Sequence, residues 1–152
     1  MENHSDKFPD CFYRVTIKGL CVKDSKILLV REAKAISGNW ELPGGGLDFG
    51  ENIRTGLKRE IEEEMGLKVR QISNAPVYVW THRYPSNSRN IGWYYSCVIA
   101  YRIELESLNF TPSDECEAID FFSKEELKTI NLNGQTTELA DIFNPEDFKD
   151  SF

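Results

Sequence analysis

Several protein classes are excluded by what this chain lacks. No apolar run approaches the roughly 18 residues that a membrane-spanning helix requires. The opening residues, Met1-Glu2-Asn3-His4-Ser5-Asp6-Lys7, are polar and have no apolar stretch of the secretory type. A cytoplasmic protein without membrane contact is the expectation. The four cysteines, Cys11, Cys21, Cys97 and Cys116, are scattered, with no CxxC and no neighbouring histidine. They read as free thiols rather than zinc ligands. The two histidines, His4 and His82, stand apart from any partner pattern. Basic residues are outnumbered, 18 Lys and Arg against 25 Asp and Glu, for a net charge of −7. A chain so acidic has little to offer a nucleic-acid backbone, so a nucleic-acid polymer is not an expected partner. Repeats and low-complexity stretches are absent, and 152 residues suit one domain, 11–152, behind a loose tail over 1–10.

The acidic residues that are present are concentrated. Residues 45–67 read GGLDFGENIRTGLKREIEEEMGL, and four of their glutamates fall between Glu60 and Glu64. On a helix, Glu60, Glu63 and Glu64 stand at i, i+3 and i+4 and share one face. Three such carboxylates repel one another unless a cation gathers them, and hard oxygen ligands select Mg²⁺, Mn²⁺ or Ca²⁺. The alternative is a solvated acidic face. An acidic protein that acts on an anionic small molecule needs a cation to bridge the two, which agrees with a metal site.

The pattern continues on both sides. Gly45, five residues, Glu51, seven residues, Arg59-Glu60, aliphatic Ile61, one residue, Glu63-Glu64, one residue, Gly66 and aliphatic Leu67 form a fixed series of offsets. Trp40-Glu41-Leu42-Pro43-Gly44-Gly45-Gly46 leads into it. This resembles the complete box of the Nudix hydrolase family, and the likeness extends more loosely over about residues 13–127. The resemblance implies an enzyme that hydrolyses a pyrophosphate bond in a nucleoside diphosphate linked to another moiety, with Mg²⁺ as cofactor and Mn²⁺ as its substitute. Candidate substrates are a nucleoside triphosphate, a sugar nucleotide or ADP-ribose. Two other readings stay open: a non-catalytic nucleotide sensor of the same fold, and an isopentenyl diphosphate isomerase-like enzyme. The first is expected to lose box carboxylates that this chain keeps; the second leans on a cysteine motif not found here.

Elements can be placed coarsely. Residues 13–22 and 26–30 predict strands around an Asp24-Ser25 turn, with a loop over 33–39 and a short strand at 40–42. The glycines at 44–46 permit close backbone approach to a ligand. A helix follows, capped by Glu51 or Asn52 and ended by Gly66, with Leu57, Ile61 and Met65 as a buried ridge beside the acidic stripe. Gly56 weakens it by about 1 kcal/mol relative to alanine, which points to close packing there. Long strands are predicted over 69–80 and 91–104 with a polar loop over 82–90, and a short strand over 118–122. Helices are expected from Ser123 and over 136–143. Strands followed by isolated helices give an α+β fold. The resemblance narrows this to a Nudix-type α/β/α sandwich with a mixed β-sheet.

Roles follow from the resemblance. Glu60, Glu63 and Glu64, with the carbonyl of Gly44, match metal-binding positions. Arg59 orients neighbouring carboxylates, Glu51 among them, by charge-assisted hydrogen bonds. The general base varies within the family between a box glutamate and one on a downstream loop. Glu115, six residues before Phe121, is the candidate, and Glu117 is the second choice. Tyr78, Trp80 and Trp93 are candidate stacking surfaces for a nucleobase, although aromatics are also ordinary core residues. Arg31 and Arg83 are candidate phosphate contacts. A nucleotide-like small molecule is the expected partner, and a homodimer is left open.

Overall fold

The structure is a computed structural model and describes residues 13–84 and 94–152. Strand β1 (Tyr13–Leu20) runs through the middle of the first sheet, whose order is β5 (Gly44–Gly46), β1, β7 (Tyr94–Leu105), β6 (Val69–Tyr84). β1 and β7 are parallel, while the β1–β5 and β6–β7 pairs are antiparallel, so the sheet is mixed. In the second sheet, β3 (Lys26–Glu32) pairs with β2 (Val22–Lys23), β4 (Trp40–Glu41) and β8 (Cys116–Phe122), all antiparallel. Asp24 and Ser25 join β2 to β3 with φ of 52° and 63°, the double left-handed geometry of a tight hairpin turn.

Alternation along the strands divides the core. Ile17, Leu28 and Val30 pack with Leu57, Ile61 and Met65 of helix α1 (Ile53–Met65). Leu20, Ile27 and Leu29 pack on the other side, with Trp80, Leu139, Phe143 and Phe148. Each fully buried aliphatic side chain contributes about 1.5–3 kcal/mol. The layering is the α+β sandwich expected, with α1 on one side and the C-terminal turns on the other. No described helix is long and apolar enough to cross a membrane.

Some boundaries depart from expectation. The first long strand continues to Tyr84, through residues whose polarity predicted a loop, because β7 pairs with it as far as Tyr94. The helix expected from Ser123 is one 3₁₀ turn, Glu126–Lys128, with the Ser123 hydroxyl accepting from the Glu126 N–H. The helix expected over 136–143 is reduced to α2 (Leu139–Ile142), between the 3₁₀ turns Gly134–Thr136 and Pro145–Phe148. Each turn is capped by an asparagine side chain, which offers the backbone an alternative to helix. The tail over 1–10 lies outside the described residues.

Candidate active site

The acidic helix is fixed at both ends. The Asn52 side chain accepts from the N–H groups of Arg54 and Thr55, and Gly66 closes the helix at φ 67°, a left-handed conformation suited to glycine. Gly56, Leu57, Ile61 and Met65 bury one face. Glu60, Glu63 and Glu64 occupy the adjacent flank, beside the glycine strand β5.

That strand permits contacts which a side chain would block. A β-carbon on Gly45 would lie 2.4 Å from Oε2 of Glu60, so this carboxylate rests against bare backbone. Gly44 has φ 128°, and a β-carbon there would lie 2.2 Å from the Ile17 carbonyl oxygen. Its N–H donates to Oε1 of Glu64 at 3.4 Å.

The helix flank, β3, β4 and the start of β8 enclose a cleft of about 180 Å³ whose lining includes Glu32, Glu41, Glu60, Glu63, Glu64 and Glu115. Burial pushes the Glu64 carboxyl up to about 8; Glu41 and Glu60 push it further, while Lys18 opposes. Glu41 is also raised, first by burial and then by Glu32, again against Lys18. Cys116 lines the same cleft, and burial pushes its thiol up to about 11, which favours the protonated form.

Arg59 organises the helix side of this cleft. It grips Glu51 bidentately, Nε to Oε2 at 2.8 Å and an Nη to Oε1 at 2.9 Å. It also lies 3.1 Å from Glu60, 3.0 Å from Glu63 and 3.4 Å from Asp48. The hydrogen bond from Arg59 is the main reason the Glu51 carboxyl falls below its ordinary range. Glu51 in turn accounts for Gly56, where a β-carbon would lie 2.7 Å from Oε1 of Glu51.

A hard divalent cation suits this donor set of carboxylates and carbonyls. Among the described residues, however, no three acidic, cysteine or histidine side chains converge closely enough to hold an ion as they stand. Arg59 draws Glu60 and Glu63 to its guanidinium, so ion binding here would require them to turn from arginine to metal.

Glu115 and Glu117 are separated by their surroundings. Glu115 is exposed and lines the acidic cleft. Glu117 accepts from the Lys34 N–H at 2.7 Å and from Arg31 at 2.9 Å, which hold its carboxyl below the ordinary range. Arg31 lines the cleft, lies over the Trp40 ring at 5.4 Å, and has a buried Nε without a partner among the described residues.

The other expected substrate contacts are dispersed. Trp80 is 8% exposed, a core residue whose indole N–H donates to the Gln135 carbonyl at 2.9 Å, so its ring faces have no room for a base. Tyr78 donates to Asp147 at 2.6 Å and packs edge-on against Phe148, lining neither the acidic cleft nor the polar one described next. Arg83 lies one residue before Tyr84 on β6, on the opposite face of the strand. Trp93 lies outside the described residues.

Across β5 is a second cleft, of about 290 Å³, which sequence reasoning missed. Thr16, Lys18, Glu41, Ser96 and Gln135 line it, with Arg14 and Tyr84. Thr16 and Ser96 are hydrogen-bonded at 2.8 Å, and the Gln135 amide donates to Ser96 at 2.6 Å and to Thr16 at 3.3 Å. The available signal was Arg14, Thr16 and Lys18, three polar residues alternating along one face of β1. Glu41 lines both clefts.

This fold, with a glutamate-bearing helix set against a glycine strand, defines a class. The family model for the NUDIX domain matches residues 13–142, and the chain belongs to that family. An 8-oxo-dGTP diphosphatase from Buchnera aphidicola is 39% identical over 59 residues, 38% of this chain and 45% of the relative. An ADP-ribose pyrophosphatase from Methanocaldococcus jannaschii is 39% identical over 72 residues, 47% of this chain and 43% of the relative. The chain thus spans less than half the length of either. Among solved structures, the MutT protein from Methanosarcina mazei superposes with a TM-score of 0.70 at 19% identity, covering 90% of this chain and 96% of that one.

Proposed function

We propose that this protein is a Mg²⁺-dependent hydrolase that cleaves a pyrophosphate bond in a nucleoside diphosphate linked to another group. The observation that carries this reading is the acidic cleft, with six glutamates gathered beside a glycine strand. Glu60, Glu63 and Glu64 would hold the metal, which supplies charge neutralisation for the phosphates and acidifies a bound water. Glu51 and Arg59 set the direction of those glutamates. Glu115 is the favoured general base, because it is exposed in the cleft while Glu117 is held by Arg31 and Lys34. Arg31, on the cleft wall with an unpartnered Nε, is the favoured phosphate contact.

The diphosphate would lie in the acidic cleft and the rest of the substrate in the polar cleft, with Glu41 between them. The named activities of the two relatives make a nucleoside triphosphate and ADP-ribose the first compounds to try, followed by sugar nucleotides. The test is a panel of these with Mg²⁺ and with Mn²⁺, both products being identified. Hydrolysis of one class well above the others is expected. No hydrolysis across the panel, with tight binding of one compound, would instead assign a non-catalytic sensor.

A further inference from the structure

Glu117 owes its place to a break in a strand. β8 pairs with β3 in regular register from Phe122 opposite Ile27 to Ala118 opposite Arg31, and then skips a residue, so that Cys116 stands opposite Glu32. Glu117 is the extra residue, a β-bulge, and a bulge re-aims the side chain it carries. Its Oε2 accepts from Arg31 at 2.9 Å and its Oε1 from the Lys34 N–H at 2.7 Å. The loop after β3 is docked a second time beside it, where the Ala33 N–H donates to the Glu115 carbonyl at 3.0 Å. The Arg31 and Glu117 side chains are 33% and 26% exposed, and an ion pair so open to water adds little to stability. A bulge that builds such a pair calls for another account.

Arg31 supplies one. Its guanidinium lies over the Trp40 ring at 5.4 Å, gives one terminal nitrogen to Glu117, and keeps a buried Nε without a partner among the described residues. Glu32 and Glu115 line the same cleft. Arg59 shows what a guanidinium does beside such glutamates, since it stands 3.1 Å from Glu60 and 3.0 Å from Glu63. We propose that Glu117 is a positioning residue: it holds Arg31 against Trp40 and away from the cleft glutamates, so that the remaining donors of the guanidinium meet a phosphate oxygen of the substrate. This rests on the reading above that a diphosphate lies in the acidic cleft, and it gives the second candidate base a different task. Glu117 touches no substrate and takes no proton; it acts through the fork geometry of the arginine.

The test is a double-mutant cycle on the affinity for inorganic pyrophosphate with Mg²⁺, measured by isothermal titration calorimetry on full chains confirmed as folded by circular dichroism. Arg31→Met should weaken binding by about 10- to 100-fold, the loss of a charge-assisted hydrogen bond. Glu117→Gln should weaken it by about tenfold, as when a group supporting a ligand contact is removed. The double variant should bind within about twofold of Arg31→Met alone, because Glu117 has nothing left to hold. Where Arg31→Met does not fold, Arg31→Lys keeps the charge, loses the fork and carries the same cycle. On a compound that is hydrolysed, Glu117→Gln should raise KM about tenfold and leave kcat within about threefold, whereas loss of a base would lower kcat. Pyrophosphate binding by Glu117→Gln as tight as wild type, or tighter, would overturn the inference, since Glu117 would then only screen the charge of Arg31. A Glu117→Gln loss that persists undiminished beside Arg31→Met would overturn it too, by showing that Glu117 acts on the fold. Wild type that binds pyrophosphate no better than Arg31→Met refutes this inference alone; wild type that binds none refutes the acidic-cleft reading on which it rests.

Discussion

The two clefts on either side of the glycine strand are built by opposite rules. The acidic cleft gathers six carboxylates whose mutual repulsion is only partly relieved, by Arg59 on one side and Lys18 on the other. The polar cleft is internally satisfied at its floor, where the Thr16 and Ser96 hydroxyls and the Gln135 amide bond to one another. On the reading proposed above a cation completes the first, whereas the polar atoms of the second already satisfy one another. A cleft left with unrelieved charge bears on the reaction proposed, because a proton, or a cation with its anionic cargo, would relieve it. A satisfied polar floor would bear on substrate choice in the proposed reading, because a ligand there must match or exchange bonds that already exist.

Neutralising the acidic cleft should produce the largest effect. Glu64→Gln keeps the shape and removes the charge, and is expected to lower Mg²⁺-dependent turnover by about 10²- to 10⁴-fold with the fold retained. Near-wild-type turnover on a good substrate would remove Glu64 from the metal site. Glu115→Gln should lower kcat far more than it raises KM. An unchanged kcat would move the base elsewhere, and rescue by added metal would mark Glu115 as a ligand instead.

A smaller effect is expected where backbone and carboxylate touch. Gly45→Ala places a methyl 2.4 Å from the resting position of Glu60 Oε2, so the carboxylate must swing away. Mn²⁺ affinity should fall by about tenfold, as it does when groups supporting a ligand are disturbed. Retained affinity would show that Glu60 reaches the ion from another direction.

The contrast between the clefts also explains what could be read from sequence. The acidic cleft takes three of its six glutamates, Glu60, Glu63 and Glu64, from one helix, where helical geometry turns spacing into position. Asn52, Gly56 and Gly66 have local reasons visible in the chain: a cap, a close approach to Glu51 and a left-handed end. The polar cleft is joined by hydrogen bonds 80 and 119 residues apart in sequence. No periodicity encodes such a meeting; Gln135 reaches Thr16 because the Gly134–Thr136 turn packs across the sheet. Trp80 misled for the same reason. Its place in the chain suggested a stacking surface, but tertiary packing buried both faces. The short C-terminal turns fell between helix and loop because Asn133 and Asn144 capped segments too brief to propagate.

The polar floor should give a moderate effect, on stability as much as on activity. Ser96→Ala removes the group that bridges Thr16 and Gln135 and leaves buried polar atoms unpaired, at a cost of about 1–3 kcal/mol measured by urea denaturation. It should also change the ranking of substrates in the panel while sparing the Mg²⁺ requirement. A changed Mg²⁺ requirement with unchanged ranking would reverse the roles assigned to the two clefts.

The smallest effect is expected in the metal-free protein, where the strain of the acidic cleft should appear as pH dependence. In the unfolded chain Glu64 loses its proton near the ordinary 4.5, whereas in the folded chain it holds the proton up to about 8. Between those values the folded state binds more protons than the unfolded one, so stability should fall as pH rises through that window and level off above it. Glu41 is raised for a similar reason and adds to the same slope. Thermal melts in a chelator, taken across the window, should therefore show a declining Tm for wild type and a shallower decline for Glu64→Gln. Mn²⁺ should flatten the wild-type decline, because the ion takes the proton's place and is bound more tightly as pH rises. Parallel curves for wild type and Glu64→Gln in the chelator would mean that the half-buried Glu64 carboxyl is already relieved by its neighbours, and that the contrast between the clefts is one of geometry rather than of charge.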